Sequence, residues 1–593
     1  MQLGGNKTRK VKAGAIRQGQ LVTTFGCGSI VDMPGESVII AGTDYWKHFE
    51  NDDRFKLSEV NLQKYLGVDY FISPPPAQDD KGYNTGYGIP AFRFPEWMYC
   101  PKCNRLARIS TFDTIGHPKC QKCNVRVIPS RFVIACENGH LDDFPYEWWV
   151  HQGNKCTSTR PELYFQTSEK SSGLDSVIIY CKTCGAERSM AGSFSRDALR
   201  GFKCRGRRPW LKDRDKKDCD QKVRTMQRGA TNLHFSITTS ALSIPPWSKH
   251  VQMELDKKWN VLECLMDDEE FFKRTVEKTG LNERCKCSLD DLWEQAVLKK
   301  KGEESDVAKT WQEILEGEYR AFLGGSSDER DEFKTRNVDV PEFIIDYVDQ
   351  VVLATRLREV VALRGFKRIS PDYDIDQEES FTRISRDFKN WLPAVELKGE
   401  GIFIKLNQQK LEEWEQNHEV VERYKKIETQ GQKFIEKGPG FSPRYVLLHT
   451  LSHLLIRQLI LECGYASAAI KERIYCSFIQ EEEFLDMAGI LIYTASNDSE
   501  GSLGGLVREG KTNRFDNTFR LMIEAASWCS ADPLCIQSEG QGLDALNLAA
   551  CHSCTLLPET SCESRNCLLD RASVIGTLEN SSIGFFSKLL TRR

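Results

Sequence analysis

The sequence predicts an α+β, multidomain protein built from zinc-ribbon modules, a helical middle region and a C-terminal α/β zinc-binding domain. Length, cysteine spacing and a change of hydrophobic period along the chain predict it. At 593 residues the chain exceeds what one hydrophobic core organises. Its 22 cysteines gather in pairs and quartets with metal-ligand spacing. The hydrophobic pattern moves from short Gly- and Pro-punctuated runs to helical spacing after Pro246, and turns strand-like again near Met487.

Residues 1–95 alternate short apolar runs such as SVIIAG with turns, which predicts a loop-rich α/β unit. Residues 96–160 hold a first zinc-ribbon region, and 161–245 a second zinc-binding region with a basic loop. Residues 246–440 read as mainly helical, as in VQMELDKKWNVLECLMDDEEFFKRTVEK and PEFIIDYVDQVVLATRLREVVALRG, with one strand-like island, WLPAVELKGEGIFIKL. Residues 441–593 open with an amphipathic helix, continue into the strand-like MAGILIYTAS and end in six cysteines.

Composition bounds the function classes. A formal charge of −4, with 28% charged residues, gives no global case for nucleic-acid binding, so any such case rests on local patches. The first residues are polar and basic, with no apolar segment of the secretory kind. The longest apolar stretch, around LLHTLSHLLIRQLILEC, is interrupted by His449, His453, Arg457 and Glu462, which a bilayer would penalise. The expected setting is the reducing cytoplasm, where cysteine patterns bind metal more often than they form disulfides.

Zn²⁺ is the expected cofactor, at three sites and a possible fourth. In CPKCNRLARISTFDTIGHPKCQKC, Cys100 and Cys103 form one CxxC knuckle, and Cys120 and Cys123 a second. Four thiolates meet the tetrahedral demand of a closed structural zinc site. Cys181 and Cys184 form another knuckle, with Cys204 and Cys219 as the partners expected downstream. Between these lie Cys136, His140, His151 and Cys156, whose permissive spacing allows a mixed site or ordinary buried side chains. Near the C-terminus Cys551 and Cys554 form a knuckle, with Cys535 and Cys562 as preferred partners and Cys529 and Cys567 as competitors.

Between Arg196 and Arg228, thirteen Lys or Arg face five Asp. Arg205, Arg207, Arg208 and Lys212, interleaved with Phe202 and Trp210, are the candidate nucleic-acid contacts, since cations neutralise phosphates and aromatic faces stack on bases. The competing reading is a solvated loop around a zinc site.

Other patterns imitate catalytic motifs. GLVREGKT, from Gly505 to Thr512, fits a Walker A string but does not follow a strand directly, as a phosphate-binding loop requires. Pro371 and Asp372 precede Glu396 and Lys398 in a nuclease-like order, a weak case for Mg²⁺ chemistry. His449 and His453 share a helix face, but Thr450, Leu451 and Ser452 stand where a metalloprotease helix needs glutamate, so hydrogen-bonded histidines are the expectation.

Strings along nearly the whole chain carry a family resemblance: IRQGQLVTTFGCGSIVDMPGESVIIAGTDYW, RFVIACENGHLDDFPYEWWVH, GAERSMAGSF, GRRPWL, and the ending AACHSCTLLPETSCESRNCLLDR. They resemble the DrmB family of DISARM anti-phage systems. The C-terminal part, with LLHTLSHLLIRQL, CGYASAAIKERIY and GILIYTASNDSEGSLGGLV, is similar to the MrfA-like zinc-binding domain found attached to superfamily 2 DNA helicases. The resemblance implies association with a DrmA-like helicase, a part in recognising or restricting invading DNA, and no catalytic centre in this chain. The rivals are a cryptic Mg²⁺-dependent nuclease centred on Glu396 and Lys398, and an assembly scaffold that never touches DNA.

Overall fold

The computed structural model describes residues 16–591, apart from 77–87, 114–116, 168–172, 216–217, 246–249, 257, 286, 306–309, 327–330, 371–380, 431–440, 478–484, 497–503 and 543–544. The chain forms two compact units, each assembled from separated segments: 1–56, 72–239 and 362–395 in one, 57–71, 240–361 and 396–593 in the other. The chain passes repeatedly from one unit to the other.

The first unit is mainly β. Its largest sheet runs in the order Glu187–Ser189, Val177–Cys181, Leu163–Thr167, Arg105–Arg108, Trp97–Tyr99, Ile128–Pro129. A smaller sheet places Phe132–Ala135 between Leu141–Asp143 and Arg224–Gln227. Between them these strands and the helix Tyr146–His151 supply a core of Trp97, Phe132, Phe144, Tyr146, Trp149 and Ile179. Several cysteines edge this core, so the metal-ligating turns are continuous with the packing.

The second unit contains the middle and C-terminal elements. Helices His250–Asp256, Glu269–Lys278, Leu281–Cys285 and Leu289–Ser305 pack around Leu255, Phe272, Val276 and Leu292. Helix Trp311–Gly324 starts at a reciprocal capping box between Thr310 and Glu313 and lays Phe322 on Phe403, with ring centroids 4.7 Å apart. The island at Trp391–Leu406 is a strand, as its pattern suggests, and its residues 398–405 pair antiparallel with 489–496 of Ala488–Ser496.

One stretch departs from its expected helical state. Val348–Lys367 is a strand of 20 residues. Burial along it is almost continuous, and Val351, Val352, Val360 and Val361 are branched at Cβ. Buried, β-branched runs favour an extended chain, and hydrophobic spacing alone does not separate such a strand from a buried helix.

The helix Pro443–Cys463 has Ser442 as N-cap, accepting from the Tyr445 amide at 3.1 Å, proline in its first turn, and Gly464 in the left-handed region at its end. Among the described residues it is the one helix long and apolar enough to cross a membrane, yet 67% of its most apolar window is buried inside the protein. His449, Thr450, Ser452 and His453 are completely buried on it.

Candidate metal centres

Three CxxC knuckles share one local design. Asn104 donates to the Cys100 carbonyl, Asn124 to that of Cys120 and Gly185 to that of Cys181, each at 2.8 Å. The amides of Cys100, Cys120 and Cys181 bond in turn to the carbonyls of Arg105, Val125 and Ala186. The turning residues have φ of 59°, 50° and 77°, which glycine and asparagine tolerate best. The sequences CxxCN, CxxCN and CxxCG therefore fold into the same tight hairpin, with both thiols on one side.

Zn–S distances of about 2.3 Å and Zn–N distances of about 2.0–2.1 Å imply tetrahedral edges of about 3.8 Å between sulfurs and about 3.6 Å between sulfur and nitrogen. Cys100, Cys103, Cys120 and Cys123 come together as the spacing predicts, with Cys103 and Cys120 sulfurs 3.8 Å apart. None of the cysteines is disulfide-bonded, so these approaches are not disulfides.

The expected quartet Cys181, Cys184, Cys204 and Cys219 divides between two clusters, and the four residues left open by spacing complete both. His151 and Cys156 join Cys181 and Cys184; Cys136 and His140 join Cys204 and Cys219. In the former, Cys156 and Cys181 sulfurs lie 3.8 Å apart and His151 Nε2 is 3.3 Å from Cys184 Sγ. His151 ends the helix Tyr146–His151, where its Nδ1 lies 2.7 Å from the Glu147 carbonyl; donating there leaves the Nε2 lone pair for the cluster.

In the other cluster, Cys136 and His140 face each other across the turn between strands Phe132–Ala135 and Leu141–Asp143. Gly139 makes that turn at φ +78°; an added Cβ would lie 1.6 Å from Thr382 Oγ1. Cys136 Sγ is 3.9 Å from Cys219 and 3.7 Å from Cys204, and His140 Nδ1 is 3.5 Å from the sulfurs of Cys136 and Cys204. His140 Nε2 meets Asp215 at 3.3 Å, the outer carboxylate that steadies a ligating imidazole. Burial opposes the charged form of His140, but Cys204 and Asp215 outweigh it and raise its pKa.

At the C-terminal end the quartet is Cys529, Cys535, Cys551 and Cys554. Cys529 takes the place expected of Cys562, which lies in a different buried cluster, and Cys567 belongs to neither. The observed sulfur pairs are 3.5–3.7 Å apart. Asp532 holds the turn by accepting from the Cys529 and Ile536 amides, and Arg571 grips the same carboxylate at 2.6 and 2.9 Å. The four donor sets fit zinc in both chemistry and spacing.

The basic loop is largely committed to the fold. Arg207 reaches Asp142 at 2.8 Å, Glu96 at 2.9 Å and Asp143 at 3.5 Å. Burial works against its charge, but those carboxylates raise its pKa further. Burial pushes Asp143 up to about 6. Arg208 makes two 2.9 Å bonds to Asp213, and Trp210 is fully buried with its indole donating to the Arg383 carbonyl. Arg205 is exposed, its guanidinium 5.0 Å from the Phe202 ring, and Lys212 lies 3.9 Å from the Phe92 centroid. Lys212, Arg93 and Arg214 line a surface pocket.

The motif imitations resolve similarly. Gly505–Glu509 is helical, and a Cβ on Gly510 would lie 2.3 Å from Leu353 Cδ2, so the segment packs as structure and forms no open phosphate loop. Glu396 accepts from Arg358 at 2.8 Å; burial opposes its ionisation, but Arg358 lowers its pKa overall. Pro371 and Asp372 lie outside the described residues, as does the basic run before residue 16.

Comparisons with known proteins match this layout. Residues 17–235, which contain three of the clusters, match a domain of unknown function (DUF8724). Residues 451–555, which contain the Cys529 cluster, match the MrfA Zn-binding domain. Over 584 residues the chain is 34% identical to a DISARM protein, DrmB, of Bacillus paralicheniformis, covering 94% of this chain and 100% of that protein.

Proposed function

Because the chain belongs to the DrmB family of DISARM proteins, we propose that it is a non-catalytic, cytoplasmic accessory subunit that pairs with a DrmA-like superfamily 2 helicase and helps it recognise and restrict invading phage DNA. The observation that carries this reading is the completeness of the metal clusters. Each of the four offers four protein ligands, which leaves no open position for water or substrate, the mark of structural zinc. ATP-driven work then falls to the helicase. The zinc-held turns serve as rigid mounts for surfaces that the partner and the DNA contact.

Two surfaces suit those roles. Trp528 and Leu534, 66% and 83% exposed, flank Cys529 and Cys535 and present apolar side chains from a metal-stiffened turn, a fitting anchor for a protein partner. Arg205, Lys212 and Arg214 remain outside the ion-pair network that holds Arg207 and Arg208, and suit phosphate contact.

The test is co-expression with the helicase. Trp528→Ala with Leu534→Ser should abolish copurification at unchanged zinc content. Arg205→Ala with Lys212→Ala should weaken DNA binding by the complex at low salt while the complex stays assembled. Full copurification of the first variant would refute the anchor, and unchanged affinity of the second would refute DNA contact through this loop.

A further inference from the structure

A further cluster, sharing no ligand with the four cysteine-rich centres, lies deep in the second unit. His449 and His453 project from helix Pro443–Cys463, Glu472 from strand Ile470–Cys476, and Cys562 from the C-terminal segment. One donor atom from each lies within 4.8 Å of all the others. His449 Nε2 is 3.0 Å from Glu472 Oε1 and 3.1 Å from Cys562 Sγ, and His453 Nε2 is 3.4 Å from the same Glu472 oxygen. The side chains of both histidines and of Glu472 have no solvent exposure, and Cys562 is 8% exposed.

The surrounding hydrogen bonds orient lone pairs inward. His453 Nδ1 lies 3.1 Å from the Thr555 carbonyl, an acceptor only, so Nδ1 carries a proton. Its Nε2 makes no hydrogen bond and is aimed at a carboxylate oxygen. Two lone pairs facing each other in a dry site repel unless a cation lies between them. Glu472 is held in place by its other oxygen, which accepts from Ser452, while Oε1 also receives the Glu563 amide at 3.2 Å. Cys562 Sγ accepts the Asn566 amide at 3.1 Å, as ligating thiolates commonly do. The ion pairs of Glu472 among the described residues are with these two histidines.

We infer that His449, His453, Glu472 and Cys562 form a fifth metal site, for a borderline divalent cation of the zinc class. Two imidazoles, one carboxylate and one thiolate supply four donors of the kinds Zn²⁺ accepts, and their separations approach the edges of about 3.4–3.6 Å that a tetrahedral ion imposes. The site is closed and buried, so its role is structural: it pins the core helix to the neighbouring strand and to the C-terminal segment. The Thr555 carbonyl that orients His453 follows Cys554, which makes the backbone of one centre the outer support of the other. The site stands independently of the helicase reading.

Metal content of the full-length protein tests it. Elemental analysis of the wild type should give five zinc ions per chain, Cys562→Ser four, Cys529→Ser four, and the double variant three. Four ions in the wild type, or no loss on Cys562→Ser, would overturn the inference and leave a hydrogen-bonded ion pair. Should the variants fail to fold, X-ray absorption of the wild type at the zinc edge decides. Five sites average about 3 sulfurs and about 1 light ligand per ion, whereas the four cysteine-rich sites alone average about 3.5 and about 0.5.

Discussion

Asp570→Asn should loosen the C-terminal zinc-binding region without touching a metal ligand. The Asp570 carboxylate is fully buried and accepts five hydrogen bonds: Arg423 Nε at 2.6 Å and Nη2 at 2.9 Å, the Tyr424 hydroxyl at 3.0 Å, and the amides of Ala549 and Ala572 at 3.1 Å. Asparagine keeps one oxygen for the two amides but turns an NH₂ toward Arg423. Arg423 is only 14% exposed, so it is left as a largely buried cation without its anion. Removing one partner of such a pair costs about 3–5 kcal/mol, and the retained amide contacts place the expectation near the lower end, about 3 kcal/mol. Hydrogen exchange of residues 546–572 in urea should report that loss as faster local opening. Arg423→Met in the same background should restore part of it, because the stranded buried charge is removed. A loss below about 1 kcal/mol, or no recovery in the double variant, would refute the reasoning. The pH dependence has a definite sign. Burial alone would raise the Asp570 pKa, but Arg423 holds it below the ordinary value. Its stabilisation is therefore present above about pH 4 and disappears as pH falls through the lowered pKa, a component that asparagine lacks.

Cys181→Ser and Cys219→Ser should each remove a different zinc ion, and their combination two; loss of a single ion in the double variant, counted by elemental analysis, would restore the quartet suggested by spacing. Desolvation in its enclosed position, together with the nearby Arg368 cation, lowers the pKa of the half-buried His234 to about 3. The unfolded chain then binds a proton below about pH 6.5 that the folded chain refuses, so stability falls with acidification, by about 2 kcal/mol at pH 5. His234→Gln should remove about that much of the fall in unfolding free energy, read from urea titrations between pH 6.5 and 5, and an unchanged dependence would contradict the assignment.

The parts of the fold legible in the sequence are those encoded locally. CxxC followed by Asn or Gly specifies a knuckle within six residues, and MAGILIYTAS specifies its strand by composition. The partition of the remaining ligands is not local: Cys136 meets Cys204 and Cys219 across 68 and 83 positions, and the chain between them contributes a second, interleaved centre. Spacing favours the nearer partners and so joins Cys204 and Cys219 to the wrong knuckle. The usable signal was His140 in its Gly-His turn, a metal-binding residue at a position where glycine fixes the backbone. Cys562 is misplaced for the same reason, since its partners His449, His453 and Glu472 stand on a helix and a strand about a hundred residues upstream. Hydrophobic period fails at Val348–Lys367 because burial on nearly all sides erases the difference between the two periods.

The basic loop shows why a charge count overstates an electrostatic footprint. Residues 196–228 carry a formal excess of eight positive charges, enough for a steep salt dependence if every one met a phosphate. Folding brings in carboxylates that the window does not contain. Glu96, Asp142 and Asp143 engage Arg207, Glu137 meets Arg224 at 3.3 Å, and Asp32 meets Arg228 at 2.8 Å, while Asp213 within the window holds Arg208. The hairpin then offers Arg205, Lys212 and Arg214. Three phosphate contacts contribute a slope of about −2.7 in log K against log salt, or about forty-fold between 50 and 200 mM, instead of the roughly twenty-thousand-fold that eight contacts would give. Replacing those three residues by alanine in the assembled complex should reduce the measured slope by about that amount and leave the partner's own contribution intact. A slope that does not change would mean that this loop never meets DNA.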